Sequence, residues 1–140
     1  MTLKNTDKFY VRVSNHQTID NTVERITEEG AGSFRTDGKK AYIKYKTDDA
    51  TIMIKLEGLS VNVKRIGTYN SDTDYVEGKR TSLAYNTPYG TIDMHIDTKS
   101  VKSKISQDGG NILMEYDLYA GGDKIANKME IAIEAVKGNG

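Results

Sequence analysis

Thr91-Ile92-Asp93-Met94-His95-Ile96-Asp97 is the run from which the fold class can be read. Its apolar residues, Ile92, Met94 and Ile96, alternate strictly with polar ones. A period of two gives an extended strand one greasy face and one wet face, whereas a helix would scatter the same residues around its circumference. The pattern recurs on both sides of this run. Upstream lie Phe9, Val11 and Val13, then Ala41, Ile43 and Tyr45 after the Asp37-Gly38 turn, then Ile52, Ile54 and Leu56. Glu57-Gly58 turns the chain into Leu59, Val61 and Val63, and residues 80–87 run to Pro88, a residue that suits a strand end. Downstream, Val101, Ser103 and Ile105 precede the Asp108-Gly109-Gly110 turn, and Ile112, Met114, Tyr116 and Leu118 share the next face. Gly121-Gly122-Asp123 leads into a last run with Ile125, Met129, Ile131 and Ile133. Such strands joined by tight turns predict an antiparallel all-β domain, and closure into a barrel of about 8–10 strands would remove its open edges.

Two segments pull against that reading. Residues 124–136 are rich in Ala, Glu, Lys and Met, which favours helix by propensity, yet their alternation favours a strand that closes the barrel. The strand is the expectation adopted. Asn21–Glu29, with Val23 and Ile26 three apart, is ambiguous in the same way.

The chain has 140 residues, with 20 basic and 20 acidic side chains. That length predicts a single domain spanning residues 1–140. The absence of cysteine excludes disulfides, thiol catalysis and Cys-based metal sites, and two histidines do not make a multi-histidine centre. No metal or other cofactor is expected. Zero net charge gives no overall pull toward nucleic acid or anionic membrane, so neither is expected as a partner. The polar start, Met1–Lys8, lacks the apolar segment of a secretory signal, and no run of about 20 apolar residues exists to span a bilayer. The expected location is the cytoplasm.

Residue order carries a family resemblance over most of the chain. Val61-x-Val63-x-Arg65-x-Gly67, Thr81–Thr87 with Tyr85, Tyr89-Gly90, Thr98-Lys99-Ser100 and Ile112-x-x-x-Tyr116-Asp117 together resemble the YwiB-like proteins, small uncharacterised bacterial proteins with a domain of unknown function. The match is best from Lys55 to Val136. The resemblance implies a calycin-like, lipocalin-like antiparallel β-barrel, often found in Gram-positive bacteria, and brings no activity or catalytic residue with it.

Among candidate functional residues, Arg65 continues the face of Val61 and Val63, which would aim its guanidinium into the barrel. A buried Arg needs an anion or a set of acceptors. A ligand carboxylate or phosphate would serve, as would a protein carboxylate such as Asp117 or Glu115, and the protein counter-ion is the favoured alternative. Tyr45, Tyr85 and Tyr116 fall on or near inward faces and could orient a ligand, although packing with a backbone partner is the commoner use. Met94 and Met114 add adaptable apolar lining. Asp93, His95 and Asp97 form a row opposite Ile92, Met94 and Ile96, which reads as a solvated outer face and not a metal site.

Three functions follow in order of expectation. The first is a binding module for a small amphipathic or anionic ligand, with Arg65, Tyr45, Tyr85, Met94, Met114 and Tyr116 lining the interior. The second is a filled barrel that works through its outer surface, for instance as a homodimer. Catalysis ranks a distant third, because no nucleophile–base set or paired-carboxylate site assembles from the spacing.

Overall fold

The computed structural model describes residues 8–136, and for residues 84–87 the backbone alone. Alternation becomes ten strands: β1 (Phe9–Ile19), β2 (Thr22–Thr36), β3 (Lys40–Lys46), β4 (Ala50–Glu57), β5 (Ser60–Gly67), β6 (Ser71–Val76), β7 (Arg80–Thr87), β8 (Gly90–Ser106), β9 (Gly109–Ala120) and β10 (Asp123–Ala135). They form one antiparallel sheet in the order β6-β5-β4-β3-β2-β1-β10-β9-β8-β7. Each strand pairs with its sequence neighbour except β6 with β7, and β1 pairs with β10 over Phe9–Thr18. The meander therefore curls into a nearly closed barrel whose one seam lies between β6 and β7. No helix among the described residues is long and apolar enough to cross a membrane.

Both ambiguous segments are strands. Residues 124–135 lie in β10 between β1 and β9, so ladder hydrogen bonds on both sides override their helix propensity. Residues 22–29 belong to β2, anchored to β1 alone. The Asp20-Asn21 turn that joins β1 to β2 has φ of 49° and 66°, the left-handed pair that a two-residue hairpin with the natural twist of strands requires.

Side chains of one parity line the interior: Val11, Ile43, Ile52, Ile54, Val61, Ile96, Met114 and Ile131 are buried there. On β8 the parity switches at Lys99, with Ile96 and Thr98 buried before it and Val101 after it. A bulge between Thr98 and Ser100 supplies the extra residue, so Val101 pairs with Met114 and stays inside. Gly32, on β2 where β3 begins to pair, is another fixed point: a Cβ there would run into the Lys44 carbonyl oxygen. Only glycine lets the two backbones come this close.

The seam is bridged, not laddered. Gly78 N–H donates to the Thr98 carbonyl at 2.8 Å, and Thr98 N–H donates to the Lys79 carbonyl at 3.2 Å. The Thr81 hydroxyl reaches the Asp74 carbonyl at 2.6 Å, and Glu77 accepts from Val101 N–H at 2.8 Å. One end of the barrel is hydrocarbon, where Phe9 and Phe34 meet edge to face at 5.2 Å in a cluster with Ala41, Leu56 and Ile133. The opposite end, where the β1–β2, β3–β4, β5–β6 and β9–β10 turns gather, carries the interior polar groups.

Candidate functional site

Arg65 points inward, as its parity with Val61 and Val63 requires. Its Nη2 donates to both oxygens of Glu28 at 2.7 Å, and the Tyr45 hydroxyl donates to the same carboxylate at 2.8 Å. The expected protein partners, Asp117 and Glu115, are corrected here. Asp117 is covered by Lys99 (3.3 Å) and Lys124 (3.6 Å) on the outer side of the sheet, and Glu115 turns out toward Lys128 (4.0 Å). The Arg65–Glu28 pair is a strut: Glu28 stands four residues before Gly32, where β2 has left β3, and Arg65 reaches it from β5 past β3 and β4. Burial, reinforced by the Glu28 carboxylate, pushes the Tyr45 hydroxyl far above the ordinary tyrosine range.

A second cluster adjoins the first. Val13 faces Glu28 across the β1–β2 ladder, and Asn15, two residues on and on the same face, is buried. Asn15 Nδ2 donates to Asn127 Oδ1 at 3.1 Å and to the Tyr116 hydroxyl at 3.5 Å, while Asn127 Nδ2 donates to the Ile125 carbonyl at 2.9 Å. Tyr116 hydrogen-bonds to Tyr75 across the seam, with ring centroids 4.8 Å apart. Burial raises the pKa of both hydroxyls. Two buried atoms at this level have no hydrogen-bond partner among the described residues: Asn15 Oδ1 and the hydroxyl of Thr98, which pairs with Tyr116 in the β8–β9 register. Each such group costs about 1–3 kcal/mol.

Of the six residues predicted to line an interior site, Arg65, Tyr45 and Tyr116 belong to these two clusters. Met94 is half-buried on β8 at the same end, whereas Met114 is packed deep in the hydrocarbon core. The side chain of Tyr85 lies outside the described residues. Sequence reasoning missed Glu28, Asn15, Asn127 and Tyr75. The two asparagines left a signal, since each interrupts an apolar face: Asn15 follows Phe9, Val11 and Val13, and Asn127 stands between Ile125 and Met129. Glu28 left none, because the segment that carries it was itself ambiguous.

The row of Asp93, His95 and Asp97 lies on the outer face of β8. Asp97 is held by Arg80 through two bonds of 2.7 and 2.8 Å, which keeps its carboxyl below the usual range, and His95 Nδ1 meets the Ser82 hydroxyl at 3.2 Å. No group of three potential metal-ligating side chains exists among the described residues. A shallow external groove of about 480 Å³ crosses β2–β5 between Arg35, Tyr42, Lys44, Met53 and Lys64, and another of about 400 Å³ lies over Asp117.

A ten-stranded antiparallel meander closed by its first and last strands places the chain in a class of β-barrel proteins. A family model, the Domain of unknown function (DUF1934), matches residues 11–132, and the chain belongs to this family. Among individual proteins, the chain is 24% identical over 109 residues to the Uncharacterized beta-barrel protein YwiB of Bacillus subtilis (strain 168), covering 75% of this chain and 77% of that one. The crystal structure of the ywiB protein from Bacillus subtilis superposes with a TM-score of 0.81 at 23% identity, covering 92% of both chains.

Proposed function

We propose that the protein is a binding module whose site is the polar end of the barrel, and that it takes a small amphipathic molecule there. The observation that carries this reading is the placement of Asn15, Asn127, Tyr116, Glu28, Tyr45 and Arg65 on interior parity at one end, where Asn15 Oδ1 has no hydrogen-bond partner among the described residues. Aliphatic side chains of similar volume would cost less inside a barrel, and such departures from the most stable core collect at functional sites. The Glu28 counter-ion shifts the expected ligand away from a simple anion. A neutral or zwitterionic polar group with a donor for Asn15 Oδ1 suits the cluster, and its apolar part would lie against residues such as Met94 and Leu118. A long acyl chain does not suit it, because Ile43, Ile52, Met114 and Ile131 occupy the interior beyond.

Native mass spectrometry of freshly purified protein, beside a denatured sample, tests the reading together with amide chemical-shift mapping against small zwitterions, polyols and short amides. The expected result is an adduct lost on denaturation, or shifts centred on Asn15, Glu28, Arg65 and Tyr116 that Asn15→Leu abolishes. A clean mass with no mapped shift from the panel would return this end of the barrel to a structural role.

A further inference from the structure

The outer edge of β2 is open over Thr22–Glu29 among the described residues. β3 is in register with β2 only from Gly32 to Thr36, and the Gly30 backbone still lies close against that of Lys46. Among the described residues no strand is registered on that side of Thr22–Glu29. These eight residues extend about 27 Å at strand geometry. Unpaired N–H and C=O groups over such a length are a template for another strand, and folds normally blunt them with Lys, Pro or a bulge. The barrel does this elsewhere. On β8 beyond Thr98 the edge carries exposed Lys102 and Lys104, with Glu77 capping the N–H of Val101. Residues 22–29 hold no Lys, no Pro and no bulge, and they leave Val23 61% and Ile26 51% exposed.

The charge pattern along this edge is complementary to itself in one register. Successive residues of a strand turn their backbone groups to opposite sides, so two copies paired about a two-fold axis set only residues of equal parity opposite each other. The axis must therefore pass through a residue. Placed at Thr27, it puts Arg25 opposite Glu29 twice, Ile26 opposite Glu28 twice, and Thr27 opposite its own copy. Opposite charges meet, no like charges face each other directly, and the two Ile26 side chains lie diagonally across the same face. The pairing ends at Glu29, just before β3 arrives. Other axes lose the pattern. At Glu24, Arg25, Glu28 or Glu29 a charged residue opposes itself, at Ile26 the axis sets Glu24 against Glu28, and at Val23 no opposite charges meet.

We propose that the protein forms a two-fold homodimer by β2–β2 edge pairing centred on Thr27, which joins the two barrels through one continuous ladder over residues 25–29. Pairing satisfies the open backbone groups there and covers Ile26. Arg25 of the partner subunit joins Tyr10 and Arg12, which already donate to Glu29 at 2.6 and 3.4 Å. Ile26 of the partner subunit comes to lie beside Glu28, at the margin of the polar end of the barrel. The inference rests on the open edge and its charges and not on ligand binding.

Since the chain has no cysteine, a single introduced thiol reports the register without background. Directly opposed Cα atoms in an antiparallel pair are about 4.5–5.5 Å apart, inside the range a disulfide spans. Thr27→Cys is expected to form a covalent dimer rapidly on mild oxidation, whereas Thr22→Cys and Glu24→Cys, each far from its own copy in this register, remain monomers in reducing-agent-free gels. Sedimentation of the unmodified protein is expected to give a dimer mass. Arg25→Glu and Glu29→Arg are each expected to sediment as monomers, and an equimolar mixture of the two folded variants is expected to restore the dimer, since Glu then faces Arg at every charged pair. A monomer mass for the unmodified protein at all concentrations would overturn the proposal. So would a dimer in which the thiol introduced at position 27 cross-links no faster than those at the two control positions.

Discussion

Arg65 brings a charge into the barrel and finds Glu28 there, and the pair sets a measurable expectation. Both side chains keep about a third of their exposure, 33% and 29%, so the pair falls between an exposed bridge, worth about 0–1 kcal/mol, and a buried one whose breaking costs about 3–5 kcal/mol. Arg65→Met is expected to lower stability by about 1–3 kcal/mol in urea melts with an unchanged slope, and Glu28→Gln, which still accepts from Tyr45 and Arg65, by less. An unchanged midpoint for Arg65→Met would refute the strut. The inward aim of Arg65 was legible in the sequence, because parity with Val61 and Val63 sets it. Its partner was not legible: Glu28 is 37 residues away in a segment whose extended form depends on pairing with β1.

Among the elements, the β1–β2 hairpin and the β2–β3 crossing each rest on one local requirement. Asn21 holds a φ of 66°, which a residue with a Cβ adopts at some cost. Asn21→Gly is expected to raise stability by about 0.4–1 kcal/mol, as relief of that strain outweighs the added freedom of the unfolded chain. Gly32→Ala is expected to destabilise by about 1–3 kcal/mol, because the new methyl must displace the β3 backbone at Lys44. Thermal and urea melts of the two variants moving in opposite directions would confirm both; a neutral Gly32→Ala would mean that β3 shifts freely there. Propensity and alternation disagreed in β10 because each scores one strand alone. The outcome was set by two neighbours, β1 and β9, which pair with it along most of its length.

Across the barrel as a whole, three interior tyrosines among the described residues couple the fold to pH. Tyr45, Tyr75 and Tyr116 all have hydroxyl pKa values raised in the folded state, chiefly by burial. A raised folded pKa means that the stabilising contribution is complete below the unfolded tyrosine value of about 10 and is lost as pH climbs above it toward the folded value. The barrel is therefore expected to unfold in alkali, with these three tyrosines ionising in the same transition that abolishes the β-sheet circular dichroism. Phenolate absorbance that reaches its full value for nine tyrosines while the sheet signal persists would contradict this.

Residue order was enough to establish an antiparallel β chain, the inward face of most strands and the position of most turns. Alternation and turn chemistry are local, and any extended strand must obey them. The polar interruptions at Asn15 and Asn127 were visible at the same level. Folding in three dimensions set the rest: the seam falls between β6 and β7, and the bulge at Lys99 resets β8. The same holds for Glu28 meeting Arg65 and for β2 running past β3 with its edge open. Each of these depends on which strands stand side by side and how far their pairing extends, and contacts between distant parts of the chain govern both.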